Sequence, residues 1–226
     1  MSNYFGLSLV VDNTNTAVTL SQAKAHLSVE QQFTDDDAYI SALLLAAQRY
    51  CEDVTQRCFF NKTFLYTLDY FPYFAPYQTY PINDRYNLYA TYWRRFCIKL
   101  PWPRAQSITS VVYTDMNQQQ QTMDSSLYFL DNNSEPGRLA PIYGQYWPYQ
   151  GMYLPGTVQI TFVAGSYGDG VETNNVPMPI QQAILLLVGY WYANRAVQGT
   201  APPKEMDFTV DALLDTYKFY TFSLVD

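Results

Sequence analysis

The sequence predicts an α+β fold: a helical bundle made from N-terminal and C-terminal helices, with an inserted small antiparallel β-domain that carries a long aromatic-rich loop. Three observations predict it. Apolar residues recur at three- and four-residue spacing near both ends of the chain. Short β-branched and aromatic runs, separated by turn formers, fill the middle. One stretch, Pro72–Cys97, is crowded with tyrosine and follows no clear period. On this plan residues 1–60 are the N-terminal helical part of the bundle. Residues 61–170 are the β-domain, with the Tyr-rich extension at 72–97, and residues 171–226 are the C-terminal helical part with a docking tail.

The first helix starts at a capping box. Thr19 stands as N-cap and Gln22 reaches back to it, with Leu20, Ala23 and Leu27 on one face. A second helix runs from about Asp35 to Thr55 and should be about 30 Å long. Acidic residues at Asp35, Asp36 and Asp37 complement the positive end of its dipole, and Ile40, Leu43, Leu44, Ala47, Cys51 and Val54 mark its apolar face. Past Arg57 the pattern changes to strands at Phe64–Phe71, Ile98–Leu100, Ser107–Tyr113, Leu127–Leu130 and Thr157–Val163. Pro101 and Pro103, the Asp131–Gly137 segment and the Gly165–Gly170 segment supply the breaks, and Gln118–Gln121 reads as a solvated turn. Pro177 and Pro179 open a third helix with Ile180, Ala183, Ile184, Leu187, Val188 and Trp191 on one wide face, and Leu185, Leu186 and Tyr190 fill much of the rest, so it is apolar on more than one side. It stops before Gly199 and Pro202-Pro203. A last short helix, about Val210 to Tyr220, carries Leu213, Leu214 and Tyr217.

With 226 residues the chain needs neither disulfides nor metal to build a core. Its three cysteines, Cys51, Cys58 and Cys97, form no C-x-x-C and no zinc spacing, so they read as small hydrophobes in a reducing compartment. Leu7–Val11 is too short an apolar run for a signal peptide, and Ala183–Ala193 is too short to cross a bilayer. The net charge of −7 argues against a stand-alone nucleic-acid binder or a basic membrane-surface protein, both of which rely on clustered Lys and Arg. Charged residues are only 15% of the chain; the deficit is filled by aromatics, 22 Tyr among them. Tyrosine has an apolar face and a hydrogen-bonding tip, which suits protein–protein contact.

Catalytic chemistry finds little to stand on. His26 is the single histidine and lies in a short amphipathic helix with no Ser, Cys or Asp positioned beside it by the sequence. The Asp35–Asp37 run lacks the spacing and glycine of an EF-hand, and a helix start accounts for it. Gly165-Ser166-Tyr167-Gly168-Asp169-Gly170 is neither a P-loop nor a nucleophile elbow, and reads as a loop after a strand. Adjacent Glu52 and Asp53 point in different directions on a helix. The sequence therefore predicts no catalytic residue, cofactor or metal.

Several segments together resemble the head–tail connector, or adaptor, family of tailed bacteriophages and gene transfer agents. They are Leu20-Ser21-Gln22-Ala23-Lys24-Ala25-His26-Leu27 with Asp36-Asp37-Ala38-Tyr39-Ile40, and Ala46-Ala47 with Glu52-Asp53-Val54-Thr55-Gln56-Arg57. Next come Leu100-Pro101-Trp102-Pro103, Ser107–Tyr113, Tyr128-Phe129-Leu130-Asp131 and Val158–Gly165. The last are Val176-Pro177, Gln182–Val188 and Trp191-Tyr192-Ala193-Asn194-Arg195. Their order and spacing cover Val18 to Tyr220, broken by Pro72–Cys97, where the family has a shorter link. The resemblance implies a virion structural protein that is not an enzyme. Its copies form a ring, usually of twelve, beneath the portal protein at the virion neck. The ring continues the DNA channel without sequence-specific binding and presents a platform to the stopper, tail terminator or tail. A stopper or tail terminator is itself a rival reading, disfavoured by the paired helices, and a carbohydrate-binding module that uses the exposed aromatics is another.

Two sets of residues are the expected protein contacts. Tyr73, Tyr77, Tyr80, Tyr86, Tyr89, Tyr92 and Trp93 lie in the aromatic stretch, which either packs on its own fold or meets another protein. Leu213, Leu214, Tyr217 and Phe219 lie beyond Pro202-Pro203 and are too few for a core of their own. Val210–Asp226 is therefore expected to dock on a neighbouring subunit or the portal.

Overall fold

A computed structural model of the chain describes residues 6–72, 96–148, 155–195 and 204–220. These contain four helices and two antiparallel sheets, an α+β fold. The chain divides into two compact units, each assembled from separate stretches of sequence. The described residues of Met1–Asp12 and Lys62–Ala164 form the β-unit. Asn13–Asn61 and the described residues of Gly165–Asp226 form the helical unit.

The helical unit holds α1 (Leu20–His26), α2 (Asp37–Thr55), α3 (Met178–Ala193) and α4 (Lys204–Asp215). The expected capping box is present: the Thr19 hydroxyl accepts from the Gln22 amide at 3.2 Å, and the Gln22 side chain accepts from the Thr19 N–H at 2.9 Å. The spacing that predicts α2 and α3 puts their apolar faces into one core. Ile40, Leu44, Ala47 and Cys51 are buried with Ile180, Ala183, Ile184, Leu187 and Val188. Leu43 and Val54 pack at the margin of that core. The buried polar residues Gln48, Glu52 and Thr55 of α2 are paired, as burial demands. The Gln48 carboxamide accepts from the Ala17 N–H at 2.7 Å and donates to the Asn15 carbonyl at 3.0 Å, tying the segment before α1 to α2. Buried Glu52 accepts from the Phe59 N–H and pairs with Arg49, whereas Asp53 is exposed.

The β-unit contains β1 (Leu7–Val11), β2 (Lys62–Leu68), β3 (Ile98–Lys99), β4 (Ala105–Thr114), β5 (Gln120–Thr122), β6 (Tyr128–Asp131), β7 (Arg138–Pro141) and β8 (Val158–Ala164). One sheet has the order β1-β2-β8-β4-β5, the other β3-β7-β6, and every pairing is antiparallel. Central β8 alternates strictly, burying Val158, Ile160, Phe162 and Ala164. Phe162 lies opposite Phe64 of β2, and their rings stack 5.7 Å apart. Three strands were not expected. β1 comes from the apolar Leu7–Val11 run, β5 replaces part of the Gln118–Gln121 turn, and β7 pairs with both β3 and β6. Each is five residues or shorter, too short for periodicity to reveal, and is held by its neighbours in the sheet.

Candidate interaction surfaces

The glycine-rich segment after β8 is a structural loop. Asp169 accepts at one carboxylate oxygen from the N–H groups of Val171, Glu172 and Thr173 and from the Thr173 hydroxyl. These bonds, the Thr173 N–H first, hold its carboxyl down at about 2. Gly168 has φ +111°, and a Cβ there would come within 2.4 Å of the Thr173 carbonyl oxygen, so only glycine fits.

The acidic start of α2 does something other than cap it. Asp36 is the N-cap residue, yet its side chain makes no capping bond. It accepts instead from Arg195, just past α3, and from the Tyr192 hydroxyl, each at 2.5 Å. The Arg195 hydrogen bond, then that of Tyr192, lowers the Asp36 carboxyl below its usual range, and Asp36 raises Tyr192 and Arg195 in return. The guanidinium lies 4.9 Å from the Tyr39 ring centre and 4.5 Å from that of Tyr192. Asp37 pairs at 2.6 Å with Lys24, a lysine buried in α1 that also donates to the Gln31 carbonyl. The reading of Asp35–Asp37 as a capped helix start is corrected to this extent: two of the three join α2 to α3 and α1.

The C-terminal residues expected to meet a partner are on their own fold. Leu214 and Val210 are fully buried in the helical core, and Leu213 and Tyr217 are half-buried against it. The Phe219 N–H donates to the Thr55 carbonyl at 2.8 Å, and Arg57 donates to the Tyr217 carbonyl at 2.8 Å while standing over the Phe219 ring. Four apolar residues are too few to form a core but enough to complete one that α2 and α3 have built. The outward face of α4 keeps Phe208 exposed. The aromatic set Tyr73, Tyr77, Tyr80, Tyr86, Tyr89, Tyr92 and Trp93 lies outside the described residues.

Sequence reasoning missed the exposed apolar groups of the β-unit. On β1, Leu9, Val10 and Val11 are all about half exposed. At the small sheet, Phe129 and Ile142 are exposed beside Tyr143, which is 98% exposed at the tip of a turn, and Tyr146. The apolar character of Leu7–Val11 and Tyr128–Leu130 was visible in the sequence, but not which side would stay open.

No group of His, Cys, Asp and Glu among the described residues could hold a metal ion. Burial, with Glu52 beside it, pushes the Cys51 thiol up to about 12, and burial raises Cys97 as well. His26 is exposed and faces Gly189 of α3. No helix among the described residues is long and apolar enough to cross a membrane.

No known protein-family profile matches the chain, and no curated protein matches it. Solved structures do. A chain from the neck of an empty gene transfer agent particle, computed with C6 symmetry, superposes with a TM-score of 0.68 at 20% identity, over 96% of each chain. A chain from the native gene transfer agent virion gives 0.64 at 19% identity, again over 96% of each. A third, from the neck of the native particle computed with C12 symmetry, gives 0.64 at 20% identity with the same coverage. The chain thus shares, end to end, the fold of subunits found in the neck and virion of a gene transfer agent.

Proposed function

We propose that this chain is a head–tail connector, or adaptor: a virion structural protein of the neck. Its copies would form a ring under the portal, extend the DNA channel and give the stopper, tail terminator or tail a platform. The observation that carries this reading is the likeness over 96% of both chains to a neck subunit. The ordered segments from Val18 to Tyr220 support it independently of structure. The six- and twelvefold symmetry of the matched necks supports a ring. A ring protomer needs two different lateral faces, a head-to-tail arrangement that closes by rotation. A net charge of −7 suits a channel through which DNA slides without its phosphates being gripped. On this reading the work is assembly rather than catalysis, with no cofactor.

Cryo-EM of the neck of particles that carry an epitope-tagged copy tests it. Tag density in a ring between portal and tail is the expected result. Density at the distal end of the neck would reassign the chain to the stopper or tail terminator. Absence of the chain from purified particles by mass spectrometry would overturn the proposal.

A further inference from the structure

The β-unit has four sheet edges among its described residues, β1 and β5 on one sheet and β3 and β6 on the other. Two are blunt. β5 is Gln120-Gln121-Thr122 and β3 is only Ile98-Lys99, and short or polar edges are how proteins prevent stray strand pairing. The other two are longer and more apolar, and the one charge between them, Asp131 at the end of β6, is paired with Arg138 of β7. β1 is Leu7-Ser8-Leu9-Val10-Val11, without a charge or a proline, and β6 is Tyr128-Phe129-Leu130-Asp131.

The backbone pattern says which groups each open edge offers. In an antiparallel ladder, alternate residues turn both N–H and C=O toward one neighbour and then the other. The Thr67 N–H donates to the Gly6 carbonyl, and Leu7, Ser8 and Leu9 follow opposite Tyr66, Leu65 and Phe64. Gly6 and Ser8 therefore face β2, leaving the N–H and C=O of Leu7 and Leu9 outward. On the small sheet the Ile142 N–H donates to the Leu127 carbonyl, and Tyr128, Phe129 and Leu130 follow opposite Pro141, Ala140 and Leu139. Leu127 and Phe129 face β7, and Tyr128 and Leu130 offer their groups outward. The two open edges have the same spacing and the same apolar character.

We propose that β1 of one copy adds to β6 of the next copy, antiparallel, with Leu7 opposite Leu130, Ser8 opposite Phe129 and Leu9 opposite Tyr128. Leu7–Leu130 and Leu9–Tyr128 are then the hydrogen-bonded pairs, and Ser8–Phe129 is the close, non-hydrogen-bonded one. The pairing joins two different edges, so it is head-to-tail and repeats around a ring. It rests on the ring reading above and supplies that ring with a specific lateral contact. Pairing of β1 with β1 of another copy would give only a closed dimer.

Disulfide trapping tests the pairing, because it captures even a transient contact. Ser8 and Phe129 are both exposed, so Ser8→Cys and Phe129→Cys are compatible with the fold. Their Cα atoms would lie about 4.5 Å apart across the contact, within the span of a disulfide. The double variant is made with half-buried Cys97 replaced by Ala and oxidised at high protein concentration. A ladder of dimers, trimers and larger species on a non-reducing gel is expected, with neither single-cysteine variant giving one. Leu9→Pro, added to the double variant, removes one outward N–H and leaves the β1–β2 ladder intact, as proline is tolerated at such edge positions. It should cut the linked product on the order of fivefold at unchanged melting temperature. No ladder from the double variant, a full dimer from Ser8→Cys alone, or a ladder indifferent to Leu9→Pro would each overturn the pairing. The two proposals fail separately. A neck ring without a ladder removes the pairing alone, and a ladder from a chain absent from particles removes the neck assignment alone.

Discussion

Asp169 links one side chain to the shape of a loop and gives a clear pH signature. Its folded carboxyl titrates at about 2 against an ordinary 3.8. A depressed carboxyl contributes stability above its unfolded value, and that contribution is lost as pH falls from 3.8 through about 2. An NMR titration of the Asp169 side chain should show it still ionised at about pH 3. A midpoint at the ordinary value would mean that the turn does not hold in solution. Cys51 gives an opposite sign for a different reason: burial favours its neutral thiol. It should resist a thiol reagent in the native protein and react only on unfolding; fast native labelling would contradict its place in the core. Leu44 and Leu187 are both nearly fully buried, whereas Leu43 is at the margin. Leu44→Ala or Leu187→Ala should each cost about 2–5 kcal/mol by urea unfolding, and Leu43→Ala less. Sequence periodicity places all three on the right helix face but cannot rank them, because rank depends on what the partner helix covers.

Helices were more legible than strands, and the reason is length. The Thr19 capping box and the long apolar faces of α2 and α3 each repeat enough times to stand above chance. β5 and β7 do not, since three or four residues give at most two alternations. α4 begins at Lys204 rather than near Val210. A helix after a proline pair reads as a separate tail, but tertiary burial of Val210 and Leu214 makes it part of the unit. Leu214→Ala should therefore lower the melting temperature of the free protein, not merely its attachment to a partner. A variant as stable as the parent would restore the picture of a free docking segment. The clasp of Asp36, Tyr39, Tyr192 and Arg195 was equally hidden, because its members lie far apart in sequence. Arg195→Lys keeps the charge but loses the flat guanidinium that lies over the two rings. Faster amide exchange in the last turn of α3 is expected, and unchanged exchange would show the stacking to be incidental.

At the level of the whole molecule, the sequence conveyed an α+β fold with antiparallel sheets. It could not convey which edges stay open, a property of three-dimensional pairing and not of any local run. The backbone passes between the units after Asp12, after Asn61 and after Ala164, so neither unit is one continuous stretch. That interleaving has a consequence for biosynthesis. α1 and α2 leave the ribosome with their apolar faces uncovered, because α3 starts only at Met178 while α2 ends at Thr55. At about 5–20 residues per second the wait is roughly 6–25 seconds. Nascent chains stalled before Met178 should accordingly be protease-sensitive in α2 and recruit general chaperones, while chains released beyond α3 should not.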